Sequence, residues 1–192
     1  MRYFFLITIS AFLFSCNNSG PKVVAAPANL EGMTVVELPG SKVQKAYRYE
    51  PNGGIMEEGD LLDGKKTGTW VVYHPGGKNI VKTLINYADG LRNGIYLEVN
   101  DRNQIEEVGY FMDDKKDGKW TEWTYSRRLS EQEFKAGVPH GIRRKFYNKG
   151  KDGQVQEEVE FKNGVQDGIY RWYLEDGTVS IDYTYKDGQK VE

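Results

Sequence analysis

The chain is short of the residues that most chemistry needs. Its 192 residues include one cysteine, Cys16, and two histidines, His74 and His140. A single cysteine excludes a disulfide within the chain. Both histidines lie in turn-like or connecting phrases. Neither has the second histidine, cysteine or spaced carboxylates that a zinc site requires. Nucleophile-elbow, phosphate-loop and dinucleotide patterns are missing. No catalytic residue, metal or cofactor is therefore expected. An excess of one charge is missing too, with 26 basic and 28 acidic residues and a net charge of −2. Without a basic block there is no footprint for nucleic acid.

What is present begins with an address. The run Tyr3 to Phe14 is apolar and follows one basic residue, Arg2. It is too short to span a bilayer and reads as the core of a signal peptide. Leu13-Phe14-Ser15-Cys16 resembles a bacterial lipobox. The resemblance implies cleavage before Cys16 and acylation of that residue, which makes Cys16 the lipid attachment point. Residues 1–15 are then the signal peptide. Residues 16–33 are small, polar or proline-containing and predict a flexible tether. Asn17 stands where an aspartate retention signal is absent, which points to the outer membrane in a host that has one. The expected location is the cell envelope, with the membrane held through lipid.

From 34 to 192 the chain repeats itself. DGKKTG from Asp63, DGLRNG from Asp89, DDKKDG from Asp113, AGVPHG from Ala136 and NGVQDG from Asn163 are copies of one phrase, and DGQK from Asp187 is a shortened one. The intervals between them run from 23 to 27 residues. A fixed period of that size means stacked units. Three residues before each first-glycine position stands Leu61, Tyr87, Phe111, Phe134, Phe161 or Tyr185. Two residues after the second glycine stands Trp70, Tyr96, Trp120, Arg143 or Tyr170. Three further on stands Tyr73, Val99, Trp123, Phe146 or Tyr173. The segments between alternate with period two, as in VQEEVEF over 155–161, and predict half-buried strands. Turn signals such as Pro51-Asn52-Gly53-Gly54 fall midway through the copies. Each copy reads as strand, turn, strand, with about six copies from 46 and about twelve strands, each roughly 4.8 Å from the next. SRRLSEQEFKAG (126–137) has the composition nearest to a helix, but its register with the other copies makes it strand. Trp70 and Tyr73 are three apart, so either a bulge intervenes or both faces of the sheet carry aromatics.

The recurring aromatic-x-(Asp/Asn)-Gly-x-x-x-Gly-x-aromatic pattern resembles the MORN-repeat variant of bacterial YwqK-family antitoxin-like proteins. The resemblance covers roughly Ala46 to Lys190. It implies an all-β fold, an elongated, curved antiparallel sheet of stacked β-hairpins, and a role in interaction or scaffolding. The familiar eukaryotic unit has glycine where this chain has Trp70, Tyr96, Trp120, Arg143 and Tyr170.

The expected function is a membrane-anchored, non-catalytic module that binds a protein partner at the envelope. The alternatives are an envelope glycan binder and an immunity-like protein that neutralises a toxin. The candidate binding residues are Trp70, Trp120, Trp123, Tyr170 and Trp172, because tryptophan and tyrosine are common recognition anchors. Glu58, Glu131, Glu158 and Asp182 stand six before the first glycine in four copies. They are either a carboxylate ladder for cations or a basic partner, or the solvated face of the sheet.

Overall fold

A computed structural model of the chain describes residues 20–76 and 79–191. The expected signal peptide and Cys16 lie outside the described residues. Among the described residues there are fifteen strands. The sheet opens with β1 (Lys22–Val24), β2 (Thr34–Glu37) and β3 (Val43–Tyr49). Next come β4 (Ile55–Leu62), β5 (Lys65–Tyr73), β6 (Val81–Ala88), β7 (Leu91–Val99), β8 (Ile105–Met112) and β9 (Lys115–Thr124). It ends with β10 (Arg127–Lys135), β11 (Val138–Phe146), β12 (Val155–Lys162), β13 (Val165–Tyr173), β14 (Val179–Lys186) and β15 (Gln189–Lys190). Each strand pairs antiparallel with its neighbour in sequence, from β1 to β15, in one open sheet. The segment with helix-like composition is strand β10.

Two expectations are corrected. Fifteen strands form where about twelve were expected. The described part of the supposed flexible tether is folded. β1 pairs with β2 from Lys22↔Glu37 to Val24↔Val35, and a 3-10 turn follows at Ala28–Leu30. Leu30 and Met33 are buried against Val35, Ala46, Leu61 and Trp70. The reason is coverage. Val35, Ala46, Leu61 and Trp70 bring apolar groups from β2 to β5 together, and Leu30 and Met33 help seal them from water.

The first glycine of each phrase closes a two-residue turn. Asp63 and Gly64 have φ of 51° and 74°, and Asn163 and Gly164 have 50° and 87°. Two successive positive φ values make the turn whose twist suits a hairpin. Asp113 and Asp114 adopt it without glycine, at 49° and 65°. There the Arg92 guanidinium donates to Asp114 Oδ1 at 2.9 Å and holds its carboxyl below the usual carboxylate range.

The second glycine makes a bulge. Glu58 and Asp60 pair with Val71 and Thr67, so three residues of β5 face the single Gly59. Gly68, at φ 62°, is one of the three. β8 and β9 repeat this arrangement, with Val108 and Tyr110 opposite Thr121 and Asp117. The strand is regular over Trp70, Val71 and Val72, which pair with Ile85, Leu84 and Thr83. Beyond Val72 the register with β6 shifts, but the Tyr73 hydroxyl donates to Glu58, which pairs with Val71, so Trp70 and Tyr73 lie on opposite faces and both faces carry aromatics.

The register sets one residue from each strand from β2 to β14 into a row across the tryptophan face. Its first part is Val35, Ala46, Gly59, Trp70, Ile85 and Tyr96. Its second part is Gly109, Trp120, Gln132, Arg143, Val159, Tyr170 and Tyr183. Five of the buried apolar residues, Val35, Ala46, Trp70, Trp120 and Val159, lie in this row.

Candidate interaction surface

Trp70 illustrates how the row is built. A Cβ at Gly59 would sit inside its indole ring. The glycine lets the ring lie flat on β4, where Trp70 is only 2% exposed. The Trp70 Nε1–H donates to the Asp60 carbonyl at 3.0 Å, at the bulge. Lys66 Nζ sits 3.8 Å from the ring centroid and 2.8 Å from Glu57 Oε1. Fifty residues on, the same unit recurs. Gly109 underlies Trp120, Trp120 Nε1–H donates to the Tyr110 carbonyl at 3.1 Å, and Lys116 lies 3.7 Å over the ring and 2.8 Å from Glu107. Trp120 is 3% exposed. An indole with a glycine beneath and an ammonium above has both ring faces covered.

The candidate residues are thus divided. Trp70 and Trp120 face inward, and their surface is taken up by their own neighbours. Trp123 is half-buried on the opposite face, paired with Arg128. Tyr170 and Trp172 are half-buried on the tryptophan face and lie two residues apart. Tyr170 stacks on Tyr183 at 6.1 Å and 19°, and Trp172 pairs with Glu157 and Ile181. Lys190 Nζ covers Tyr183 at 3.3 Å. On the other side the patch meets charge. Arg143 Nη2 and Lys145 Nζ both reach Glu157 Oε2 at 3.2 Å. Arg143 stands where other copies have an aromatic ring. Beside it lies a depression of ≈ 440 Å³ lined in part by Glu122, Gln132, Arg143 and Lys145.

The recurring carboxylates on the opposite face are each engaged within the sheet. Glu58 accepts from the Tyr73 hydroxyl at 2.5 Å. That bond, with burial, pushes the Tyr73 phenol up to about 12. Glu158 accepts from Tyr173 at 3.1 Å and pairs with Arg144 at 2.8 Å. Asp182 pairs with Arg171 at 3.1 Å. Glu131 is buried, which opposes its charge, but Lys119 at 2.8 Å and Arg128 at 3.2 Å hold its carboxyl below the usual range. Among the described residues no group of three His, Cys, Asp or Glu is placed to hold a metal.

Two features of this surface escape a reading by anchors alone. Tyr183 belongs to the open patch, a role the −3 and +2 positions do not assign to it. Gly59 and Gly109 determine which large rings are sealed. Their signal was in the sequence, since the two copies with glycine five before the first-glycine position are the two that carry tryptophan after the second glycine.

Comparison with protein-family models returns no match, and no curated protein matches the chain. The class is defined by the fold itself, an open antiparallel sheet of consecutive hairpins.

Proposed function

We propose that this protein is a non-catalytic interaction module of the MORN-like hairpin-repeat type, held at the cell envelope by lipid on Cys16 and binding a protein partner. The observation that carries this reading is the open patch of Tyr170, Trp172 and Tyr183. It has half-buried rings on one face, bordered by Arg143, Lys145 and Glu157. Aromatic anchors rimmed by mixed charge suit a protein surface, where a few rings supply affinity and the charges set orientation. A glycan platform calls for rings in a row without that charged border.

The test is in-cell crosslinking of the full-length protein, followed by recovery from membranes and mass spectrometry. One reproducible protein should be captured by the native chain and lost from Tyr170→Ala/Trp172→Ala. Capture that is indifferent to that double substitution overturns the patch assignment. Binding to a glycan array with no captured protein replaces the partner class. A Cys16→Ser chain that fractionates with membranes as the native chain does overturns the lipid anchor.

A further inference from the structure

We infer that the rim of the sheet carrying the two-residue hairpin tips faces the lipid bilayer. This rests on the proposed acylation of Cys16. The chain enters the sheet at that rim. Lys22 pairs with Glu37, Glu37 with Gln44, and Gln44 with Leu61, next to the first tip. Lys22 is six residues from Cys16, a reach of about 20 Å at full extension. A lipid on Cys16 therefore holds this rim, and not the opposite one, near the membrane surface.

The rim is also built for such a surface. The last pair of most hairpins sets an apolar side chain across from a lysine: Leu62↔Lys65, Met112↔Lys115, Lys135↔Val138 and Lys162↔Val165. The apolar members are 38% to 51% exposed, as is Leu91 at 42%. An apolar group flanked by a lysine fits the boundary between headgroups and acyl chains. The tips are tied together. Gly90 N–H donates to Lys66 O at 2.9 Å, Gly137 to Lys116 O at 2.7 Å and Gly164 to Pro139 O at 2.8 Å. They act as one edge instead of separate loops. The first three tips carry aspartates, Asp63, Asp89, Asp113 and Asp114. The fourth and fifth carry Ala136-Gly137 and Asn163-Gly164 with one lysine each, and so are net positive. The edge is held by lipid at its first end and drawn to anionic headgroups at its fourth and fifth tips, while the sixth balances Lys186 with Asp187. The opposite rim also exposes apolar groups, Tyr49, Ile105, Tyr125, Leu174 and Val179, so the point of chain entry is what chooses between the two rims.

The experiment couples the unacylated full chain from Cys16 onwards, through its single thiol, to a maleimide-headgroup lipid. The vesicles are of phosphatidylethanolamine and phosphatidylglycerol. Hydrogen exchange is compared with and without vesicles. Exchange should slow several-fold at the tips around 89–91 and 163–165, and stay unchanged at 51–54 and 174–178. Leu91→Asp and Val165→Asp, both at exposed positions, should remove the protection without changing the unfolding midpoint. Equal protection at both rims, or protection confined to the opposite rim, overturns the inference. The anchor is judged separately, by the mass of the N-terminal peptide from the native host. An unacylated peptide there sinks the anchor, while the vesicle result still reads on the rim.

Discussion

The two halves of the tryptophan-face row come from one repeat and are packed by different means. From Val35 to Trp120 each tryptophan of the row has a glycine as its neighbour on the preceding strand. Ala46 and Gly59 receive Trp70, and Gly109 receives Trp120. From Gln132 to Tyr183 no glycine stands in the row. Val159 is sealed, but Arg143, Tyr170 and Tyr183 keep solvent-facing surface. Both halves place one carboxylate between two cations, Glu57 between Arg48 and Lys66 and Glu157 between Arg143 and Lys145, so the ion pairs do not separate them. The first half also gains a lid from Leu30 and Met33. The difference teaches that in a one-layer sheet a ring becomes core only when its cross-strand neighbour makes room. A ring left without that room stays available to bind.

The comparison can be broken most severely at Trp70. Trp70→Ala should cost about 3–5 kcal/mol in urea unfolding, as a fully buried ring leaves a cavity. Tyr170→Ala should cost about 1 kcal/mol, since its ring is half exposed. Equal losses would show that the two halves are packed alike.

Gly59→Val comes next, with an expected cost of about 1–3 kcal/mol from overpacking against the indole. Adding Trp70→Tyr copies the Val159–Tyr170 pair of the fifth unit. It should recover much of the loss, seen as a non-additive double-mutant cycle in unfolding midpoints. A simply additive cycle would mean that the glycine serves the backbone and not the ring.

A smaller effect sharpens the ionic side. The Glu131 carboxyl has a lowered folded pKa, so its stabilisation is present above the ordinary glutamate value. It is lost as pH falls through the lowered value. Glu131→Gln should lower the urea midpoint at about pH 7, and the loss should shrink as pH falls below the ordinary glutamate value. A loss that does not change with pH would mean that shape, not charge, matters at this site.

The smallest effect concerns the opposite face. Glu58→Gln should bring the Tyr73 phenol down from about 12 towards 10, read by absorbance titration of phenolate. The folded value is raised, so the contribution of this bond to stability is complete below about pH 10 and fades as pH rises towards 12. An unmoved Tyr73 would assign its shift to burial.

Much of this was legible beforehand. The period and the turn positions follow from residues that act locally, such as Asp63-Gly64 and the alternation in 155–161, and the strand identity of 127–135 follows from its register with the other copies. Two things were not legible in the anchors. Leu30 and Met33 sit among small and polar residues with no periodicity, so their burial depends on meeting Leu61 and Trp70 from strands later in the chain. Trp70 and Trp172 are the same residue type two and four residues after a second glycine, and the cross-strand neighbour, Gly59 in one case and Glu157 in the other, makes the first core and leaves the second half exposed.

The sequence by itself determined an all-β hairpin repeat, because turn glycines and two-residue alternation act within a few residues of the chain. The tertiary structure decided that Gly59 and Gly109 lie beneath the sealed indoles, how the carboxylates are paired within the sheet and at which rim the chain enters. These depend on register between strands, and register is fixed only when the bulges at Gly68 and Gly118 bring distant side chains into one row.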